Sequence, residues 1–383
     1  MVPRKVGPRL SPMGNPSAPS SSSVRFAIST VRLPANPVEI ESEWNVTELA
    51  PEATEDLLEE CWEQIDSPYQ STNPLAALLQ RHLQRTRHIY RLESPENSQA
   101  SFPPPNWHDW AWAANALWWT PEDNGKPAVL SDPAGRQLHG PGNFDAEAQI
   151  PFLPESRRRR LESETVLRNR NLDPVDGTAP LPSSSEIETF APAIAATRML
   201  GLFAVAARAE AMANNQTLDL DRVRERSPLA ADALTPAEKD FFDLISPPAE
   251  MVDTAAWRYE SLHTLQWALQ MQPDLDWPDE RCDLASVLRL ILSLPHEDLI
   301  EHAILRPMEE LLQAADLHVC LWWKLAVEGA AGRDVPGGLD PGVVAERVHA
   351  LTWLLQLSGF VPEDAADMSW DQVGREIERG IVG

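Results

Sequence analysis

The chain has 383 residues, 43% of them hydrophobic and 14 of them tryptophan, which is enough for two domains with buried cores. A formal charge of −26 and a pI near 4.7 argue against nucleic-acid or anionic-membrane binding, and favour a basic partner or plain solubility. Three scattered cysteines, Cys61, Cys282 and Cys320, lack any C-x-x-C spacing, which argues against a disulfide framework or zinc ribbon and fits reduced thiols in the cytoplasm.

Residues 1–23 are rich in Ser and Pro, and no acid precedes Glu39, so the segment reads as a disordered tail. It lacks the apolar core of a secretory signal, and no apolar run in the chain approaches the ~20 residues that span a bilayer. An α+β domain is expected over residues 24–150. Its strands are predicted at Val24–Val31, Arg87–Leu92, Leu117–Trp119, Ala128–Ser131 and Arg136–His139, joined by turns at Asn124-Gly125 and Asp132-Pro133-Ala134-Gly135. Its helices are predicted at Thr54–Ile65, with Leu57, Leu58, Cys61, Trp62 and Ile65 on one stripe, at Leu75–Leu83, and after Asn106 as cap. Trp107, Trp110, Trp112, Trp118 and Trp119 follow helical then strand spacing, which favours a core over a stacking platform for sugars or bases.

Residues 151–183 read as a basic linker or connecting helix, with Arg157–Arg160, Arg168 and Arg170 interleaved with Glu155, Glu162 and Glu164 as a solvated face. An all-helical domain is expected over 184–383. Ser185-x-x-Glu188 opens a helix to about Asn214, kinked at Pro192, and Thr235-Pro236-Ala237-Glu238 opens a short one. Further helices are predicted at Glu250–Met271, at Leu284–Leu294 capped by Asp283, at Pro307–Gly329, after Asp340-Pro341, and after Ser369-x-x-Gln372. The fold class is thus an α+β N-terminal domain followed by a mainly α-helical, bundle-like C-terminal domain.

Two Glu-x-x-His motifs, Glu260–His263 and Glu346–His349, carry the sharpest chemistry. Carboxylate-bridged di-iron or di-manganese bundles take one such motif from each of two helices and one Glu from each of two others. Glu188 or Glu210, and Glu309, Glu310 or Asp316, could supply the latter. The alternative is structural: Arg258, Glu260, Asp316, Glu346 and Arg347 lie on or near apolar stripes, where charges must pair. In that arrangement Arg258 reaches Glu346 or Asp316, and no metal or other cofactor is expected.

A family resemblance rests on Trp257-Arg258-Tyr259-Glu260-Ser261-Leu262, Trp267-Ala268-Leu269 and Pro278 before Cys282-Asp283. Thr235-Pro236-Ala237-Glu238, Leu305-Arg306-Pro307, Asp316-Leu317-His318, Gly338-Leu339, Gly342–Arg347, Ala350-Leu351 and Trp353 extend it. Over roughly Arg157 to Val373 the chain resembles the domain of unknown function 4272 family, and Trp110–His139 resembles the domain that precedes it in longer members. The resemblance implies a helical domain of bacterial cytoplasmic proteins and brings no activity with it. Trp322-Trp323 stands where the family pattern has His-Trp, and Val348-His349 where it has His-Tyr. With no nucleophile elbow, phosphate loop or dinucleotide fingerprint, the expectation is a binding or interaction protein, an immunity-type or regulatory partner of a basic protein. The di-metal oxidoreductase is the alternative.

Overall fold

The computed structural model describes residues 24–31, 44–65, 75–94, 102–104, 107–123, 125–141, 144–357 and 370–373. The expected N-terminal tail, the Asn106 cap, Asn124 of the first turn and Ser369 of the last capping motif lie outside them.

The N-terminal region holds one six-stranded antiparallel sheet. In chain order its strands are β1 (Val24–Ser29), β2 (Asn45–Glu48), β3 (His88–Glu93), β4 (Ala116–Thr120), β5 (Val129–Ser131) and β6 (Gln137–His139). In space they run β2-β3-β1-β4-β5-β6. Alternation along the strands sends side chains to two opposite cores. Phe26, Ile28, Ile89, Leu117, Trp119 and Leu130 face the helices α1 (Pro51–Ile65) and α2 (Ala76–Gln84). Ala27, Tyr90, Leu92, Ala116 and Trp118 face α3 (His108–Ala113) with Trp107 and Trp110. Trp107, Trp110, Trp118 and Trp119 are therefore core residues, at most 7% exposed. Buried Asp132 shapes the turn after β5, accepting from the amides of Ala134 and Arg136 at 2.9 Å each. Strand β2 escaped the sequence reading because Asn-Val-Thr-Glu offers one apolar residue in four.

The described residues that follow are mostly helical. The main helices are α4 (Pro154–Asn169), α5 (Pro192–Ala213), α8 (Pro236–Asp243), α9 (Ala249–Ala268), α10 (Leu284–Ser293), α12 (Met308–Ala330) and α13 (Pro341–Leu354). Short helices α6 (Leu220–Arg226), α7 (Pro228–Asp232) and α11 (His296–Glu301) fill the turns between them. Three helix starts follow from their caps. Thr235 and Glu238 make the full reciprocal capping box, Asp283 accepts from the Ala285 amide, and Asp340 accepts from the amides of Gly342 and Val343.

Two expectations need correction. Helix α5 begins at Pro192, not Ser185: Pro192 takes the first helical position, where its missing N–H costs nothing, and causes no kink. The reciprocal contact upstream is instead Ser183 with Glu186, whose Oε2 accepts from the Ser183 amide at 2.8 Å. Helix α4 is not a solvated connector. Its stripe of Ser156, Arg159, Arg160, Ser163 and Leu167 is buried, and it packs on α12. By length and mean hydropathy alone α5 could cross a membrane, but 67% of its apolar window is buried and it packs against α9 and α7.

Glu186 joins sheet and helices. Its Oε1 accepts from Asn115 Nδ2 at 3.0 Å and lies 3.9 Å from Arg85 Nε. Asn115 adopts φ 51° just before β4 and also donates to Thr30 at 2.8 Å. On the same side Arg157 of α4 lies over the Trp112 ring.

Candidate functional site

The five charged residues singled out in the sequence sit where α9, α12 and α13 meet, but with Arg160 of α4 they form three separate pairs rather than one network. The first is Arg258 with Glu346. Arg258 donates to Glu346 Oε1 at 2.5 Å, and Ser261 donates to Oε2 at 2.5 Å. Of the two acceptors expected for Arg258, only Glu346 serves. His349 joins this cluster through both nitrogens. Its Nε2 donates to the Trp370 carbonyl at 2.9 Å, which leaves Nδ1 as the lone pair facing Arg258 at 3.4 Å. Its ring stacks on Trp370, whose centroid is 4.0 Å away.

The second pair holds Asp316, and its partner is Arg160 of α4. Arg160 Nε and Nη2 form a two-pronged fork to Asp316 at 3.1 and 2.9 Å, and the Leu181 amide donates to the same carboxylate at 3.2 Å. Burial alone would lower the Arg160 pKa, and Asp316, together with Cys320 and Glu164, more than reverses this, so the pKa is raised. Arg159 is buried beside it and donates to the carbonyls of Leu181 and Pro182. Sequence reasoning missed Arg160 because its partner lies 156 positions away. The signal available was spacing: small or apolar residues at 156, 163 and 167 mark an inward stripe on which 159 and 160 fall.

The third pair is Glu260 with Arg347. Glu260 Oε2 stands 3.7 Å from Arg347 Nε, while its Oε1 accepts from the Cys282 amide. Arg347 donates to the Asp276 carbonyl. The Cys282 Sγ lies 3.6 Å from the Tyr259 carbonyl. Burial, then the Glu260 charge, pushes the Cys282 thiol pKa up, and burial pushes Cys320 up to about 12. Neither is primed as a nucleophile.

The two Glu-x-x-His motifs do not assemble into one four-ligand set. Among the described residues, the metal-ligating atoms of three different side chains come within 4.8 Å of one another at Glu260, His263 and Cys282, without Glu346 or His349. The reason is the register of α9 on α13. It turns Glu346 and His349 toward Arg258 and Trp370, and Glu260 toward Arg347. The remaining carboxylates offered for a bundle site are also dispersed. Glu188 is exposed, Glu210 accepts from the Tyr259 hydroxyl at 2.8 Å, Glu309 lies 3.8 Å from Arg159, and Glu310 pairs with Arg306 at 3.1 Å.

Next to the third pair, the segment between α9 and α10 walls a polar pocket of about 420 Å³. Asp274, Asp276, Asp279, Glu280 and Asp283 line it with Trp277 and His263. Its two arginines are engaged: Arg347 as above, and Arg281 over the Trp257 ring at 3.6 Å. Trp257 in turn rests on Gly342, where a Cβ would come within 2.5 Å of the ring, so α13 can approach α9 this closely only with glycine there.

Arg258→Ala is expected to lower stability by about 2–3 kcal/mol, below the full ~3–5 for a buried pair because the Arg258 side chain is 18% exposed. The thermal melt of the full chain measures this. An unchanged melting temperature would show that the pair does not hold α9 to α13.

These features define a helical domain braced by internal ion pairs, with an acid-lined pocket between two of its helices. Residues 159–373, more than half of the chain, match the family model described as Domain of unknown function (DUF4272), and the chain belongs to that family. No match to a curated protein or to a solved structure is found. Within the matched span Trp257, Gly342 and Asp340 have plain physical roles as stacking ring, close-approach point and helix cap.

Proposed function

We propose that the protein is a binding protein whose helical domain receives a basic segment of a partner in the pocket between α9 and α10. The observation that carries this is the lining: five carboxylates beside one tryptophan, with both arginines already bonded or stacked elsewhere. Such a concentration of one sign focuses potential outward and draws in lysine or arginine side chains, and Trp277 at its edge already holds one guanidinium, that of Arg170, over its ring. The net charge of −26 adds long-range attraction of the same sign. A regulatory or immunity-type role in the cytoplasm is the setting that suits such a protein.

Calorimetric titration with a synthetic Lys/Arg-rich peptide, in chelator-containing buffer, tests this. Binding is expected to weaken roughly tenfold between about 50 and 200 mM salt. It should be lost in the triple variant Asp276→Asn, Asp279→Asn, Glu280→Gln and retained in Asp221→Asn on α6. Equal binding by the triple variant, or none by the parent chain, would refute the assignment.

A further inference from the structure

We propose that Glu260, His263 and Cys282 bind one zinc-class divalent cation at the inner end of the pocket, through a carboxylate oxygen, an imidazole nitrogen and a thiolate. This goes beyond the basic-partner reading and does not depend on it. The ligating atoms lie within 4.8 Å of one another. Zinc bonds of ~2.0–2.3 Å set tetrahedral ligands roughly 3.5 Å apart, so side-chain adjustment of about 1 Å closes the site. Oxygen, nitrogen and sulfur together suit a borderline-soft ion such as Zn²⁺ or Co²⁺, not Mg²⁺ or Ca²⁺, which take oxygen shells.

A second observation is independent of that spacing. Glu260 is 2% exposed and its Oε2 accepts no hydrogen bond, and the buried His263 Nδ1 has no hydrogen-bond partner. Leaving a buried carboxylate oxygen and an imidazole nitrogen unbonded is costly, and one cation would satisfy both. Arg347 Nε, 3.7 Å from Oε2, supplies charge to Glu260 but no hydrogen bond, is itself left unbonded, and its Nη1 goes to the Asp276 carbonyl, so the ion pair leaves Oε2 open to a ligand. The other carboxylate oxygen stays on the Cys282 amide, which fixes Glu260 in place. His263 and Cys282 line the pocket, so three protein ligands leave a fourth position facing it, and the acidic walls favour entry of a cation. Binding replaces the S–H bond by a metal–sulfur bond and releases one proton to solvent.

The test uses the full chain, stripped with chelator and titrated with Co²⁺ and then Zn²⁺. One equivalent of Co²⁺ should bind with a thiolate-to-cobalt charge-transfer absorption that Zn²⁺ displaces. Cys282→Ser should abolish that absorption, whereas Cys61→Ser and Cys320→Ser should keep it. Glu260→Gln preserves volume and the acceptor for the Cys282 amide, so it should fold, as its circular dichroism will show, while losing roughly tenfold or more in Zn²⁺ affinity. No Co²⁺ binding, a charge-transfer band that persists in Cys282→Ser, or unchanged Zn²⁺ affinity in folded Glu260→Gln would each overturn the proposal.

Discussion

Asp316→Ala is expected to cost about 3–5 kcal/mol, the largest effect of any single charge deletion in the helical region. Asp316 is fully buried and Arg160 is 4% exposed, so neither has water to turn to when its partner is lost. Arg160 Nε, Arg160 Nη2, the Leu181 amide and the Cys320 thiol all lose their acceptor together. Arg160 keeps its bonds to Thr178 and Ala179, which hold the guanidinium in place without neutralising it. The cost is a large share of a typical ~5–15 kcal/mol stability, and the melting temperature should fall by roughly 10 °C. Asp316→Asn, which keeps an acceptor for the Leu181 amide, should fall between Ala and the parent. Arg158→Ala, from the same arginine run but with its side chain 68% exposed, should change stability by less than ~0.5 kcal/mol. Urea unfolding monitored by tryptophan fluorescence gives all three values. An Asp316→Ala loss below ~0.5 kcal/mol would mean that the fork does not brace α4.

The second large effect is with pH. His82, His318 and His349 are buried and held neutral, each with its pKa lowered first by burial and then by a nearby arginine: Arg85, Arg347, and Arg258 with Arg198. His82 and His318 are pushed down to about 3, from an ordinary 6.5. Between those values the unfolded chain binds protons that the native chain refuses. Stability is therefore complete above pH 7 and lost as pH falls through 6.5 toward the native values. Each histidine contributes up to ~1.4 kcal/mol per pH unit, so the three together remove at most about 4 kcal/mol between pH 6 and 5. His318 donates Nδ1–H to the Ala314 carbonyl at 2.8 Å, and an asparagine amide can make the same bond. His318→Asn should therefore keep the fold and shallow the slope by about one proton. A stability that stays flat from pH 7 to 5 would contradict buried neutral imidazoles.

Punctuation was what the sequence made legible. Thr235-Pro236-Ala237-Glu238, Asp283 and Asp340-Pro341 announce helices through bonds within three residues of one another, and all three helices start there. Strand alternation likewise puts Ile89 on one face of β3 and Tyr90 on the other, and the two lie in separate cores. Partner choice was not legible. Arg258 could equally have reached Asp316 or Glu346, because helix faces say that a charge points inward but not which neighbour meets it. The arginine run misled for a related reason: alternation with Glu resembles a solvated helix, and only the small residues Ser156 and Ser163 betray a face pressed against another helix. The metal-ligand trio hid because Cys282 lies in the segment after α9, outside any fixed spacing from Glu260 and His263.

The family match opens at Arg159, in the middle of α4. Ahead of it in the same helix stand Pro154, which starts it, and Glu155, whose carboxylate accepts from the Ser184 amide and hydroxyl. A gene fragment cut at the point where similarity begins would encode a helix without its first turn and leave Ser184 and Glu186 without their upstream partners. What holds together as a folded unit thus extends beyond the matched span: a fragment that keeps all of α4 begins before Pro154, and Glu186 keeps all its side-chain partners only when Asn115 and Arg85 of the sheet region are present.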